Sequence, residues 1–128
     1  MKSQKFSLKK RLKSFSHAFN GLKIALCEEH NMRIHLAATL CVLALSVFFN
    51  ISSYEWIALI FAIGFVFVME LINSAIENMA DFISLERHSS IKKIKDLSAA
   101  AVLISAVVAF LIGLIIFLPK ILAQQIAW

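Results

Sequence analysis

The chain is poor in the residues that build soluble nucleotide sites. It has three glycines, Gly21, Gly64 and Gly113, each isolated, and no GxxxxGK[ST] stretch. That excludes a phosphate-cradling P-loop. The two cysteines, Cys27 and Cys41, have neither metal-binding nor redox spacing and read as free thiols serving as small hydrophobes. The single proline, Pro119, follows the last long apolar run and is expected to end it. No small-residue cleavage site follows a short apolar stretch near the basic start, so no signal peptide is expected.

Apolar residues, by contrast, are in excess. They make up 60% of the 128 residues, and the mean hydropathy is +0.82. Soluble domains carry roughly 45–50% apolar residues, and a single small domain has too little interior to hide the surplus. The bilayer is the solvent this composition calls for. The net charge of +5 raises the question of nucleic acid. However, no reading motif and no basic–aromatic interleaving accompanies the charge, which argues against that partner.

The distribution of the charge carries more information than its size. Of thirteen Lys and Arg, six lie between Lys2 and Lys13, and Lys23 and Arg33 precede the first apolar run. Arg87, Lys92, Lys93 and Lys95 fall in the connection before the third run, and Lys120 alone lies elsewhere. Residues 6–30 repeat Phe6, Leu8, Leu12, Phe15, Phe19, Leu22 and Leu26 at steps of mostly four and three, with lysines between them. This is the pattern of an amphipathic helix lying at a membrane surface. Three apolar segments follow, at 34–51, 54–72 and 98–118, and the second continues as a polar-striped helix to about residue 83. About 20 helical residues rise roughly 30 Å, enough to cross the hydrocarbon core. The positive-inside rule then places residues 1–33 and 82–97 in the cytoplasm, and residues 50–55 and the tail from Lys120 outside. The fold expected is a single all-α membrane domain over residues 1–128, an interfacial helix plus three transmembrane helices.

Glu70 follows fourteen apolar residues. A carboxylate at that depth is costly and by default marks a functional site. Asn73, Ser74, Glu77 and Asp81 follow at offsets of three, four, seven and eleven. At 100° per residue they share a stripe about 100° wide with Glu70. Asn73 and Ser74 alone would serve as a polar seam between helices. Three acids on one face need cations, protons or metal to coexist, and a hard cation such as Mg²⁺ takes carboxylate oxygens and accompanies phosphates. The next connection brings Glu86, Arg87, His88, Lys92, Lys93, Lys95 and Asp96. A basic loop beside acidic helix ends suits a polyphosphate held through metal, although the lysines alone would serve as membrane anchors.

The run Glu70-Leu-Ile-Asn73-Ser-Ala-Ile-Glu77, with Asp81, Glu86-x-His88 and Lys95-Asp96 before an Ala-rich span, resembles the signature of the prokaryotic diacylglycerol kinase family, which includes the undecaprenol kinases. The resemblance extends from Gly21-Leu-Lys through Glu29 to Leu118-Pro-Lys. It implies a homotrimer in a bacterial cytoplasmic (inner) membrane that transfers phosphate from ATP, with Mg²⁺, to the hydroxyl of a lipid, diacylglycerol or undecaprenol. It implies that Glu70 is the general base, that Asn73 orients the base or the phosphate, and that Glu29 and Glu77 hold Mg²⁺. Glu86, His88, Lys95 and Asp96 are implied as nucleotide contacts. So are Lys10 and His17, which stand where enterobacterial members carry Arg and Tyr. The segment Asp96-Leu-Ser98-Ala99 departs from the Gly-Ser pair of those members, with Ser98 a possible substitute. Asn31-Met-Arg33-Ile-His35-Leu resembles the undecaprenol branch more closely. Two rival readings of the residues are an ion- or proton-conducting oligomer, which leaves Glu86-x-His88 and Lys95-Asp96 idle, and a non-catalytic membrane adaptor, which leaves the acidic stripe unexplained.

Overall fold

The computed structural model of the chain describes residues 5–83, 86 and 88–127, and every regular element in it is an α-helix. Helix α1 spans Leu8–Glu28 and α2 spans His30–Phe48. Glu29 alone separates them, extended at φ −99°, ψ 114°, although its N–H still bonds the Ala25 carbonyl at 3.0 Å. Arg33 Nη2 donates to the Cys27 carbonyl at 3.0 Å. A cation on the orphan carbonyls of a helix end is favourable, so Arg33 fastens the elbow between surface helix and span. The large apolar side chains of α1 are exposed, from Phe19 at 68% to Leu26 at 37%, as suits a helix whose oily face meets lipid.

The turn after α2 is built from local chemistry. Asn50 adopts φ 49°, a left-handed conformation that asparagine tolerates better than most residues. Its N–H bonds Val47 O at 3.2 Å, and the Ile51 N–H bonds Ser46 O at 3.3 Å. This is a Schellman motif, and the residue that follows its left-handed position, Ile51, is buried with Leu59 of the next helix and with Ile116 and Phe117 further along the chain. Ser52 and Glu55 then exchange bonds. The Ser52 N–H reaches Glu55 Oε2 at 2.8 Å and the Glu55 N–H reaches Ser52 Oγ at 3.2 Å. That reciprocal pair is a capping box, and it starts α3, Ser53–Ile83.

Helix α4 runs Ser89–Ile126. His88 caps it, with Nδ1 accepting from the Ser90 N–H at 3.2 Å. The structure corrects two expectations here. Lys92, Lys93 and Lys95 lie in the first turns of α4 rather than in a connecting loop; a helix start tolerates them because Lys92 pairs with Asp96 one turn on, and Lys95 with Asp81. Pro119 also sits inside the helix instead of ending it. The missing proline N–H removes one i−4 bond. On one side of it Ile116 and Phe117 are buried, and on the other Lys120 Nζ reaches Glu55 Oε1 across to α3 at 2.9 Å. Tertiary contacts on both sides hold the helix through the proline. Arg87, expected in the basic connection, lies outside the described residues, as do Lys2 and Trp128.

Helices α2, α3 and α4 are each long and apolar enough to cross a membrane. The main packing is α3 against α4, with α2 against α3, and α1 touching both α2 and α3. At about 1.5 Å per residue, the 31 residues of α3 reach well beyond the hydrocarbon, which brings the polar end of its stripe to the membrane surface.

Candidate functional site

The stripe on α3 changes in burial from one end to the other. Glu70 is 2% exposed and Ser74 is buried. Asn73 and Glu77 are half-buried, and Asp81 is exposed. A polar column therefore leads from the helix interior toward water, with its deepest carboxylate at the apolar end.

Each end of the column is tied to a neighbouring helix. Glu70 Oε1 lies 2.8 Å from His35 Nε2 on α2. One turn further, Ser98 Oγ on α4 donates to Asn73 Oδ1 at 2.6 Å. This fixes the Asn73 amide, since a hydroxyl donating to Oδ1 leaves the NH₂ group to donate elsewhere. At the aqueous end Lys95 Nζ donates to Asp81 Oδ1 at 2.9 Å. That hydrogen bond, then the charge of Asp81, then more weakly that of Glu77, hold the Lys95 ammonium above its ordinary value. Lys95 thus feels two acids of the stripe. Asp96, expected to act beside it, pairs with Lys92 on its own helix.

Ser74 Oγ is buried and has no hydrogen-bond partner among the described residues, which is unusual for a buried hydroxyl. It sits one turn from both Glu70 and Glu77. Among the described residues no cluster of three or more His, Cys, Asp or Glu is arranged to hold a metal. Glu29 is half-buried at the α1–α2 elbow, and Glu77 is half-buried on α3. Both offer the hard oxygen donors that Mg²⁺ takes, and one or two carboxylates are what it takes when phosphates supply the rest. The donor chemistry fits a metal carried in with phosphate.

The remaining expected residues are exposed. Lys10 and His17 are both exposed on α1, seven residues apart and hence on one face. Glu86 is exposed in the connection, where its carbonyl accepts from the His88 N–H at 2.9 Å. His88 is occupied as the cap of α4.

A groove of about 360 Å³ runs between α2, α3 and α4. Its walls are almost wholly apolar and include the small residues Ala38, Ala62, Ala109 and Gly113. His35 and Thr39 are its polar end. The residue bonded to Glu70 thus also closes an oily channel.

This geometry joins a buried acid, an apolar groove and an aqueous charged end, which is the layout of an enzyme working across a membrane surface. The family model for prokaryotic diacylglycerol kinase matches residues 16–117. The chain belongs to the prokaryotic diacylglycerol kinase family. As a member it is a lipid kinase. It is 38% identical to the undecaprenol kinase of Bacillus subtilis (strain 168) over 94% of this chain and 98% of that relative. It is 31% identical to the diacylglycerol kinase of Escherichia coli (strain K12) over 77% of this chain and 80% of that enzyme. The corresponding Helicobacter pylori (strain ATCC 700392 / 26695) diacylglycerol kinase is 36% identical over 77% of each chain.

The sequence reading missed the partners of the family signature. His35 and Glu70 are isolated titratable residues in successive apolar segments, at similar sequence distances from the turn at Asn50–Ser52. In an antiparallel hairpin that places them at the same depth, a signal that was available and unused.

Proposed function

We propose that this kinase transfers the γ-phosphoryl group of ATP, with Mg²⁺, to the terminal hydroxyl of a membrane lipid at the cytoplasmic face of the bacterial inner membrane. Undecaprenol is the favoured acceptor and diacylglycerol the alternative, because the B. subtilis relative spanning nearly the whole chain is an undecaprenol kinase. The observation that carries the reading is Glu70: a carboxylate 2% exposed, bonded to a residue that lines an apolar groove. A lipid chain lying in that groove brings its hydroxyl end toward the base, while ATP arrives from water at the Asp81–Lys95 end.

In the step, Glu70 accepts the proton of the lipid hydroxyl as its oxygen forms a bond to the γ-phosphorus. The bond between that phosphorus and the β–γ bridging oxygen breaks, and ADP departs with the electron pair. Phosphoryl transfer needs chiefly positioning and charge neutralisation. Asn73, its amide held by Ser98, orients the base or the phosphate. Glu29 and Glu77 are the residues that would hold Mg²⁺, which supplies neutralisation of phosphate charge. Lys95, Asp96, Glu86, His88, Lys10 and His17 line the nucleotide side, and the working unit is a homotrimer.

The test is to offer purified protein labelled ATP with undecaprenol and diacylglycerol side by side. The expected product is labelled lipid phosphate, with undecaprenol preferred. No label in either lipid, together with ion flux in protein-loaded liposomes, would replace the kinase reading with the conducting oligomer.

A further inference from the structure

His35 has no part in the mechanism above, yet it touches the residue on which that mechanism turns. Its Nε2 is 2.8 Å from Glu70 Oε1, the one side-chain hydrogen bond between α2 and α3 among the described residues. To accept a proton Glu70 must be a carboxylate, and a carboxylate only accepts hydrogen bonds. In that state His35 Nε2 carries hydrogen and donates. Among the described residues nothing bonds the other oxygen, Oε2. Exposure divides the pair in the same sense: the His35 side chain is 24% exposed and that of Glu70 is 3%. His35 faces the groove, and Glu70 lies behind it.

We propose that His35 is the positioning residue for the Glu70 base, holding Oε1 so that Oε2 is the oxygen that takes the lipid proton. It also forms the polar end of the groove, so the lipid hydroxyl and the base are indexed to the same side chain. The proposal rests on the assignment of Glu70 as base. Glutamate has three rotatable side-chain bonds, and without an anchor on α2 its carboxylate sweeps away from the groove. Misplacing a reacting group by about 1 Å costs on the order of 100-fold in rate.

The test uses the full chain in lipid nanodiscs, with ATP and undecaprenol both saturating. His35→Leu keeps the bulk and loses the donor; His35→Gln restores an N–H at similar reach. Turnover is expected to fall about 10- to 100-fold in His35→Leu, with KM for ATP unchanged, and to recover most of that loss in His35→Gln. Full turnover in His35→Leu overturns the proposal, and so does a His35→Gln variant no better than His35→Leu. Ring ¹⁵N NMR of His35 in wild type and Glu70→Leu gives a reading that does not need an assembled His35 variant. The Nε2 resonance is expected to move when the carboxylate is removed, and an unmoved resonance overturns the contact. Turnover retained by Glu70→Gln would sink the base assignment itself. An inactive Glu70→Gln beside a fully active His35→Leu would sink only the role of His35.

Discussion

Replacing Ser98 by alanine removes one oxygen from the α3–α4 contact and nothing else. Ser98 is 8% exposed, and its hydroxyl donates to Asn73 Oδ1 at 2.6 Å. A net hydrogen bond contributes about 0.5–1.5 kcal/mol, and polar pairs between membrane helices average about 0.6 kcal/mol. Ser98→Ala therefore leaves the protein folded, with only a small drop in melting temperature. The effect on turnover is expected to be larger than the effect on stability. The same bond decides which face of the Asn73 amide points into the column, and a preference worth about 1 kcal/mol corresponds to about fivefold in rate. The assay is steady-state turnover at saturating ATP and lipid for Ser98→Ala, Ser98→Thr and Asn73→Ala. Ser98→Ala should lose about fivefold, Ser98→Thr should keep most activity because it keeps the hydroxyl, and Asn73→Ala should lose far more than either. An unimpaired Ser98→Ala beside a crippled Asn73→Ala would show that the orientation of the amide is irrelevant, and the reasoning from the 2.6 Å bond would fail.

Three further expectations follow from the same structure. Glu29→Gln and Glu77→Gln should each raise the Mg²⁺ concentration needed for half-maximal turnover, measured by metal titration, and unchanged dependence in both would remove them as metal ligands. A Cβ placed at Gly113 meets nothing within 4 Å, so the position has room for the start of a side chain, and Gly113→Leu should extend into the groove that Gly113 lines; in folded protein it should raise KM for the lipid more than KM for ATP, and equal kinetics would empty the groove of its role. The hydrogen bond from Lys95 to Asp81 raises the Lys95 value above the ordinary 10.5. Its stabilisation is therefore fully present below about pH 10.5 and is lost as pH rises through the raised folded value. Melting curves of wild type and Asp81→Asn should differ below that window and converge above it; a constant offset across it would deny the pair any titrating contribution.

The helices were legible because each has a local cause. Apolar runs, a basic surface stripe and a polar turn at Asn50–Ser53 were enough to place four segments, and the acidic stripe followed from helical periodicity alone. The contacts between helices were less accessible. Ser98 and Asn73 are separated by 24 intervening residues, and nothing in either local segment names its partner. Pro119 misled for a related reason. Its local chemistry says stop, and it is overruled by the buried Ile116 and Phe117 and by the Lys120–Glu55 bond, which only the packed α3–α4 pair provides. The lysines of the 82–97 segment were read by charge alone, as a loop, although their pairing partners Asp96 and Asp81 stand one turn away on the same helix and across on the neighbour. His35 was the costliest omission, because a lone histidine near the start of an apolar run looks like a boundary marker until the hairpin folds it against Glu70.

The central claim is that the buried carboxylate of Glu70 takes the proton from the lipid hydroxyl. The most direct measurement is single-turnover transfer of labelled phosphate to undecaprenol by Glu70→Gln, which matches wild type in shape but has no base. Assembly and ATP binding should be retained and lipid phosphate formation abolished. Phosphate transfer at the wild-type rate by an intact Glu70→Gln protein would contradict the account.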